Sequence, residues 1–206
     1  MTVRHFLIRP VPAYGKYTTQ SVETYIKRHA SKFRVDEIAE DPIIEQVIRE
    51  AINIAQNGQR SNLRKAIFAS VTGKESLDHF ATRMINDWHM GKQPSDTSKK
   101  SITAQLALAR EVAAPLAKAK NQRGADTGFW KKINEKLKAL HGKHGVVQGR
   151  SSPGWHEWEE DVIHKDIEIY GNSRAGASSL GIDDEDGYDM MYNTLGDDLE
   201  ADPLLE

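Results

Sequence analysis

Residues 40–58 read EDPIIEQVIREAINIAQNG, and this stretch decides the fold class. Asp41 can accept the first free amides of a helix, and Pro42 falls where a missing N–H costs nothing. Ile44, Val47, Ile48, Ala51 and Ala55 then recur at helical spacing, which predicts a helix with one apolar stripe turned to a core. Asn57-Gly58 predicts its stop, since both residues tolerate the left-handed conformation that ends helices.

The same pattern recurs toward the C-terminus. NLRKAIFASVTG (62–73) predicts a shorter helix through Leu63, Ile67 and Val71, and Thr72 with Glu75 has the spacing of a capping box for the next. Leu77, Phe80, Ala81, Met84, Ile85 and Trp88 form that next face. QPSDTSKK (93–100) reads as a polar linker before SITAQLALAREVAAPLAKAKNQRG (101–124), a helical run with a kink or break expected at Pro115. Asp126 or Thr127 would cap another helix, with Trp130, Ile133, Leu137 and Leu140 on its face and a stop at Gly142. The expected fold is mostly α: a helical bundle core with an extended N-terminal arm and an acidic C-terminal tail.

Five segments follow from this reading. Residues 1–16 form the extended arm, because Pro10 and Pro12 favour extended neighbours. Residues 17–142 form the basic helical core, with a helix near Ser21 to Phe33. Residues 143–154, rich in glycine, form a flexible connection. Residues 155–171 form an acidic amphipathic helix, with a short strand open at Ile167 and Ile169. Residues 172–206 form an acidic interaction tail.

Charge divides the chain more sharply than its formal net value of -2 suggests. Residues 1–150 carry 26 Lys+Arg against 14 Asp+Glu, a balance of +12, whereas residues 151–206 carry 2 against 16, a balance of -14. Within the basic part, residues 1–34 stand at +6 and residues 92–150 at +9, separated by a -5 segment at 35–58 and a +2 segment at 59–91. A basic body joined to an acidic tail points to polyanion binding, to an interaction tail, or to both.

Composition narrows the classes further. No apolar run is long enough for a spanning helix, so no membrane partner is expected. The opening MTVRHFLIRPVPAYG has no small-residue cleavage site, and a cytoplasmic location is expected. The sequence has no cysteine, which removes disulfides, thiol nucleophiles and cysteine-ligated zinc.

Motifs for chemistry are weak. Gly73-Lys74 has the core of a phosphate loop, but Phe68 and Glu75 stand where glycine and Ser/Thr are required. A turn between helices is the simpler reading. His156, Glu160 and His164 fall four residues apart on one face and are the weak candidate for a metal, with the fourth ligand missing. No Gly-x-Ser-x-Gly elbow is present, and the acids cluster in the tail where nothing holds a pair at a working separation. The expectation is a non-enzyme with no catalytic residues, no metal and no cofactor; a metal-dependent enzyme ranks last.

Two interaction classes remain. Arg110, Lys118, Lys120, Arg123, Lys131, Lys132, Lys136, Lys138 and Lys143 are the candidate phosphate contacts for DNA or RNA, bound without sequence preference and regulated by the acidic tail. Asp183, Asp184, Glu185, Asp186, Asp189, Met190, Met191, Tyr192 and Leu195 are the candidate partner contacts, because apolar anchors are threaded through the acids. The leading expectation is a structural subunit of a homo-oligomeric particle, of the kind that builds virion shells, connectors or filaments, with copies of itself or other assembly subunits as partners. A virion component of this kind would be found in the host cytoplasm and in the particle.

Overall fold

The computed structural model describes residues 2–35, 41–91, 93–118, 128–145 and 152–171. They form eight helices and no strand: α1 Thr2–Ile8, α2 Lys16–Arg28, α3 Ala30–Phe33, α4 Pro42–Thr72, α5 Leu77–Trp88, α6 Asp96–Lys118, α7 Phe129–His144 and α8 Pro153–Tyr170. All belong to one compact unit, Met1–Ala175. The tail, 172–206, lies outside the described residues, and so do 146–151 of the expected connection.

Helix α6 is the axis around which the others pack. Ile102, Leu106, Leu108, Val112 and Leu116 are buried along it, and Ala104, Ala107, Ala109 and Ala113 let neighbouring helices approach closely. α1, α4, α5, α7 and α8 all pack against it. Two ion pairs set the direction of α8: Lys100 meets Glu160 at 2.7 Å and Arg110 meets Asp166 at 3.2 Å. Both partners advance together along the chain, so α6 and α8 run parallel. Pro115 is contained within α6, which continues to Lys118. The proline removes only the bond that would reach the Glu111 carbonyl, and it lies in the last turn, where few bonds are lost.

α4 departs most from expectation. It starts as anticipated, with the Asp41 carboxylate accepting from the Ile43 amide at 2.8 Å and Pro42 at the first position. It then runs through Asn57-Gly58 without a break for 31 residues. Glycine costs a helix interior about 1 kcal/mol relative to alanine. Side-chain anchors on both sides outweigh that cost. Before the glycine, Gln56 is buried, donating to the Gly15 carbonyl at 3.1 Å and accepting from the Thr19 hydroxyl at 2.7 Å. After it, Leu63, Ile67 and Val71 enter the core. The first half of α4 is not the core element its stripe suggested: Val47, Ala51 and Ala55 are exposed, and Ile44 and Ile48 are half-buried.

The remaining differences are local. Thr72 ends α4, with its hydroxyl on the Phe68 carbonyl at 3.0 Å, so Ser76 caps α5 in place of the expected box and accepts from the His79 amide. All six residues of the expected α5 face are buried. Gly73-Lys74 is the turn between α4 and α5. α7 passes Gly142 and ends at His144, where Gly145 takes a φ of 81° that a side chain would resist. Ile167 and Ile169 belong to α8 and are exposed, with no strand formed. The expected caps Asp126 and Thr127 lie outside the described residues.

The N-terminal segment is extended over a shorter span than 1–16. Thr2–Ile8 is helical, with Leu7 and Ile8 fully buried, and the non-helical stretch is 9–15, around the two prolines. That stretch is fastened to α7: the Tyr14 amide donates to Asn134 Oδ1 at 2.8 Å, and the Tyr14 and Trp130 rings meet edge-on at 4.9 Å.

Candidate functional site: interaction surfaces and a buried ion pair

Helix α7 sorts its residues onto two faces because its apolar residues recur every three to four positions. Phe129, Trp130, Ile133 and Leu137 turn inward, and Lys131, Lys132, Lys136, Lys138 and Lys143 are all exposed on the opposite arc. Lys132 and Lys136 are one turn apart, a rise of roughly 6 Å, and Lys143 follows about 10 Å further along the same row. A shallow groove of about 520 Å³ lies between this row and the end of α6, lined by Val112, Pro115 and Ala139 together with Lys132 and Lys136. Glu111 and Glu135 share the groove, and Glu111 accepts from Lys136 at 2.6 Å. Lys118 is exposed at the end of α6, while Lys120 and Arg123 lie outside the described residues.

Arg110 does not belong to this surface. It is fully buried, on a stretch of α6 where Leu106, Leu108, Ala109, Val112 and Ala113 are buried around it. Its guanidinium donates to the Glu75 carbonyl at 2.7 Å, lies 4.4 Å from the Tyr170 ring centre and brings Nε within 3.2 Å of Asp166 Oδ2. This pair ties the α4–α5 turn, α6 and α8 together and offers no phosphate contact. Burial pushes the Asp166 carboxyl up to about 6 against the opposing pull of Arg110, and burial lowers the Arg110 guanidinium from its usual value.

The α8 stripe proposed for a metal is engaged piecewise. Glu160 accepts from Lys100 at 2.7 Å, His164 lies 3.3 Å from Glu168, and His156 approaches Glu159 at 4.0 Å. Among the described residues no three His, Asp or Glu side chains are grouped to hold an ion. The two buried carboxylates of α8, Glu159 and Asp166, face the core.

Sequence reasoning missed a second surface, on the first half of α4. Ile43, Val47 and Ile54 are 73%, 58% and 74% exposed and fall on one side of the helix with Ala51. Beside them lies a groove of about 280 Å³ between α1, α2, α3 and α4, lined by Val22, Ile26, Phe33, Val35, Ile48 and Ile52 among other apolar residues. Its α2–α3 rim is basic. Lys32 and Arg34, which flank the lining residue Phe33, are exposed, while Lys27 is paired with Glu45 at 2.8 Å. The mixture of acids with apolar residues in 40–58 was a signal available in the sequence: an inward stripe accounts for Ile48 and Ile52 but leaves Ile43 and Ile54 on the other side.

The candidate partner residues Asp183, Asp184, Glu185, Asp186, Asp189, Met190, Met191, Tyr192 and Leu195 lie outside the described residues. No helix among the described residues is long and apolar enough to cross a membrane. No known protein family, curated protein or solved structure matches this chain.

Proposed function

We propose that this chain is a non-enzymatic assembly subunit of a homo-oligomeric particle, of the kind found in virion shells, connectors or filaments. The observation that carries this reading is the apolar surface of α4, where three large aliphatic side chains stand in solvent beside an apolar groove. Isolated exposed aliphatics are ordinary, but a row of them along one helix adjoining a groove is what association surfaces present. Burying such side chains against a partner stabilises a contact by about 1.5–3 kcal/mol each.

The test is the mass of the particle in solution by light scattering. Triple replacement Ile43→Ser, Val47→Ser and Ile54→Ser removes the row without touching the core, so helicity by circular dichroism should be kept. The variant should give a smaller species than the unaltered chain at equal concentration. An unchanged mass would overturn the reading.

The lysine arc of α7 favours a second activity, contact with nucleic-acid phosphate irrespective of sequence. Affinity for double-stranded DNA should fall steeply with salt. Replacing Lys132, Lys136 and Lys143 by alanine should lower the slope of log K against log salt by about 2–3. A slope that the triple variant leaves unaltered would remove α7 from any such interface.

A further inference from the structure

We infer that the apolar groove between α2, α3 and α4 is the receptor for the acidic tail of a neighbouring copy, with Asp183–Asp189 on the basic rim and Met190–Leu195 in the groove. This deepens the assembly reading and rests on it.

The groove and the tail are each bipartite, and their parts correspond. On the groove side an apolar floor of Val22, Ile26, Phe33, Val35, Ile48 and Ile52 adjoins Lys32 and Arg34, which have no carboxylate partner among the described residues. Lys32 and Arg34 flank Phe33 in the chain, so charge and floor are a few ångströms apart. On the tail side five acids in seven residues, Asp183, Asp184, Glu185, Asp186 and Asp189, are followed directly by Met190, Met191, Tyr192 and, three residues on, Leu195. Methionines suit an irregular groove because their unbranched chains adapt to it. Exposed charges alone are screened within about 8 Å at physiological salt, so the acids guide the encounter and the apolar residues hold it.

The α7 surface is the competing receptor on the same molecule, and its composition is less suitable. Its groove contains Glu111 and Glu135 beside its lysines, and Lys136 is already paired. A carboxylate-rich segment arriving there meets like charge. On α4 Glu50 is exposed and Glu45 is already paired with Lys27 and Arg49, so the unpaired positive charge beside the groove is that of Lys32 and Arg34, on the α3 side.

The experiment uses the full chain with Met190→Ser, Met191→Ser, Tyr192→Ser and Leu195→Ser, which leaves its own tail without anchors. A fluorescent peptide of residues 181–206 is titrated into it and followed by anisotropy. Saturable binding is expected, weakened about tenfold or more when Lys32→Glu and Arg34→Glu are added. Ala55→Trp, at an exposed position lining the groove, should block binding while leaving circular dichroism unchanged. Lys131→Glu, Lys132→Glu and Lys138→Glu should leave the affinity within about twofold. If instead the α7 reversal abolishes binding while the groove variants do not, or if no saturable binding occurs, the proposal falls. Mixing ¹⁵N-labelled with unlabelled full chain and joining carboxylates to lysines with a carbodiimide decides the source of the tail. Tail-to-Lys32 peptides of mixed isotope are expected; uniform isotope would place the tail on its own chain and overturn the neighbour assignment. Particle mass, measured alongside, separates the two readings: a tail that does not bind while the particle persists removes only this inference.

Discussion

Replacing Arg110 by alanine is expected to destabilise the fold by about 3–5 kcal/mol, because it leaves the Asp166 carboxylate buried and without a counter-charge. For a chain of this size that corresponds to a fall in melting temperature of roughly 10–15 °C. Three separate losses combine: the ion pair at 3.2 Å, the hydrogen bond to the Glu75 carbonyl at 2.7 Å and the packing of the guanidinium over the Tyr170 ring at 4.4 Å. Asp166→Asn should be costly as well, since it leaves the fully buried Arg110 guanidinium, which cannot shed its charge, with the Glu75 carbonyl and the Tyr170 ring in place of a carboxylate partner.

Acidity distinguishes these variants. The folded Asp166 carboxyl titrates near 6, above its ordinary value of 3.8, so the folded state holds this proton longer than the unfolded chain does. Its stabilising contribution is therefore complete below 3.8 and is lost as pH rises through about 6. In Arg110→Ala the ionised form loses its partner, so the penalty should be smaller at pH 5 than at pH 8. Thermal melts at both pH values check this. A penalty independent of pH would show that packing, and not the orphaned carboxylate, dominates.

Apolar periodicity made most helices legible, because a face such as Leu77 to Trp88 has only one way to bury itself. The failures are cases where long-range contacts outweighed a local signal. Asn57-Gly58 reads as a stop, yet Gln56 is held by Thr19 and Gly15 from far along the chain, and no local rule contains that information. The arm around Pro10 and Pro12 reads as free, but Asn134, 120 residues away, binds the Tyr14 backbone. Arg110 was the legible miss. Inside ITAQLALAREVAAPL the residues that share a helix face with Arg110, namely Leu106, Ala107, Ala113 and Ala114, have no reason to face water, and counting it with the surface lysines ignored that neighbourhood. The lysine arc of α7 follows from spacing alone, whereas the apolar groove beside α4 needed α1, α2, α3 and α4 to be placed in space.

Loss of the Trp155 side chain should be the other large effect, about 3–5 kcal/mol for Trp155→Ala by urea unfolding. Trp155 is the largest fully buried side chain and sits in the first turn of α8. Its indole N–H donates to the Gly145 carbonyl at 3.0 Å, and its ring lies against His141 at 4.8 Å and His144 at 5.4 Å. Those three residues are the end of α7 and its cap, so one side chain joins the end of the lysine helix to the start of α8. His144 is itself confined, since its ring presses on Gly154, where even a Cβ would stand 2.5 Å from its Nδ1. Truncation at 155 removes the ring that both histidines pack on, and the cavity has little freedom to collapse while Gly154 keeps His144 in place. Trp158 gives the control. It meets Trp155 edge-on at 5.4 Å but is only half-buried, so Trp158→Ala should cost markedly less. Equal losses at the two positions would mean that the tryptophan pair, and not the seam between α7 and α8, supplies the stability.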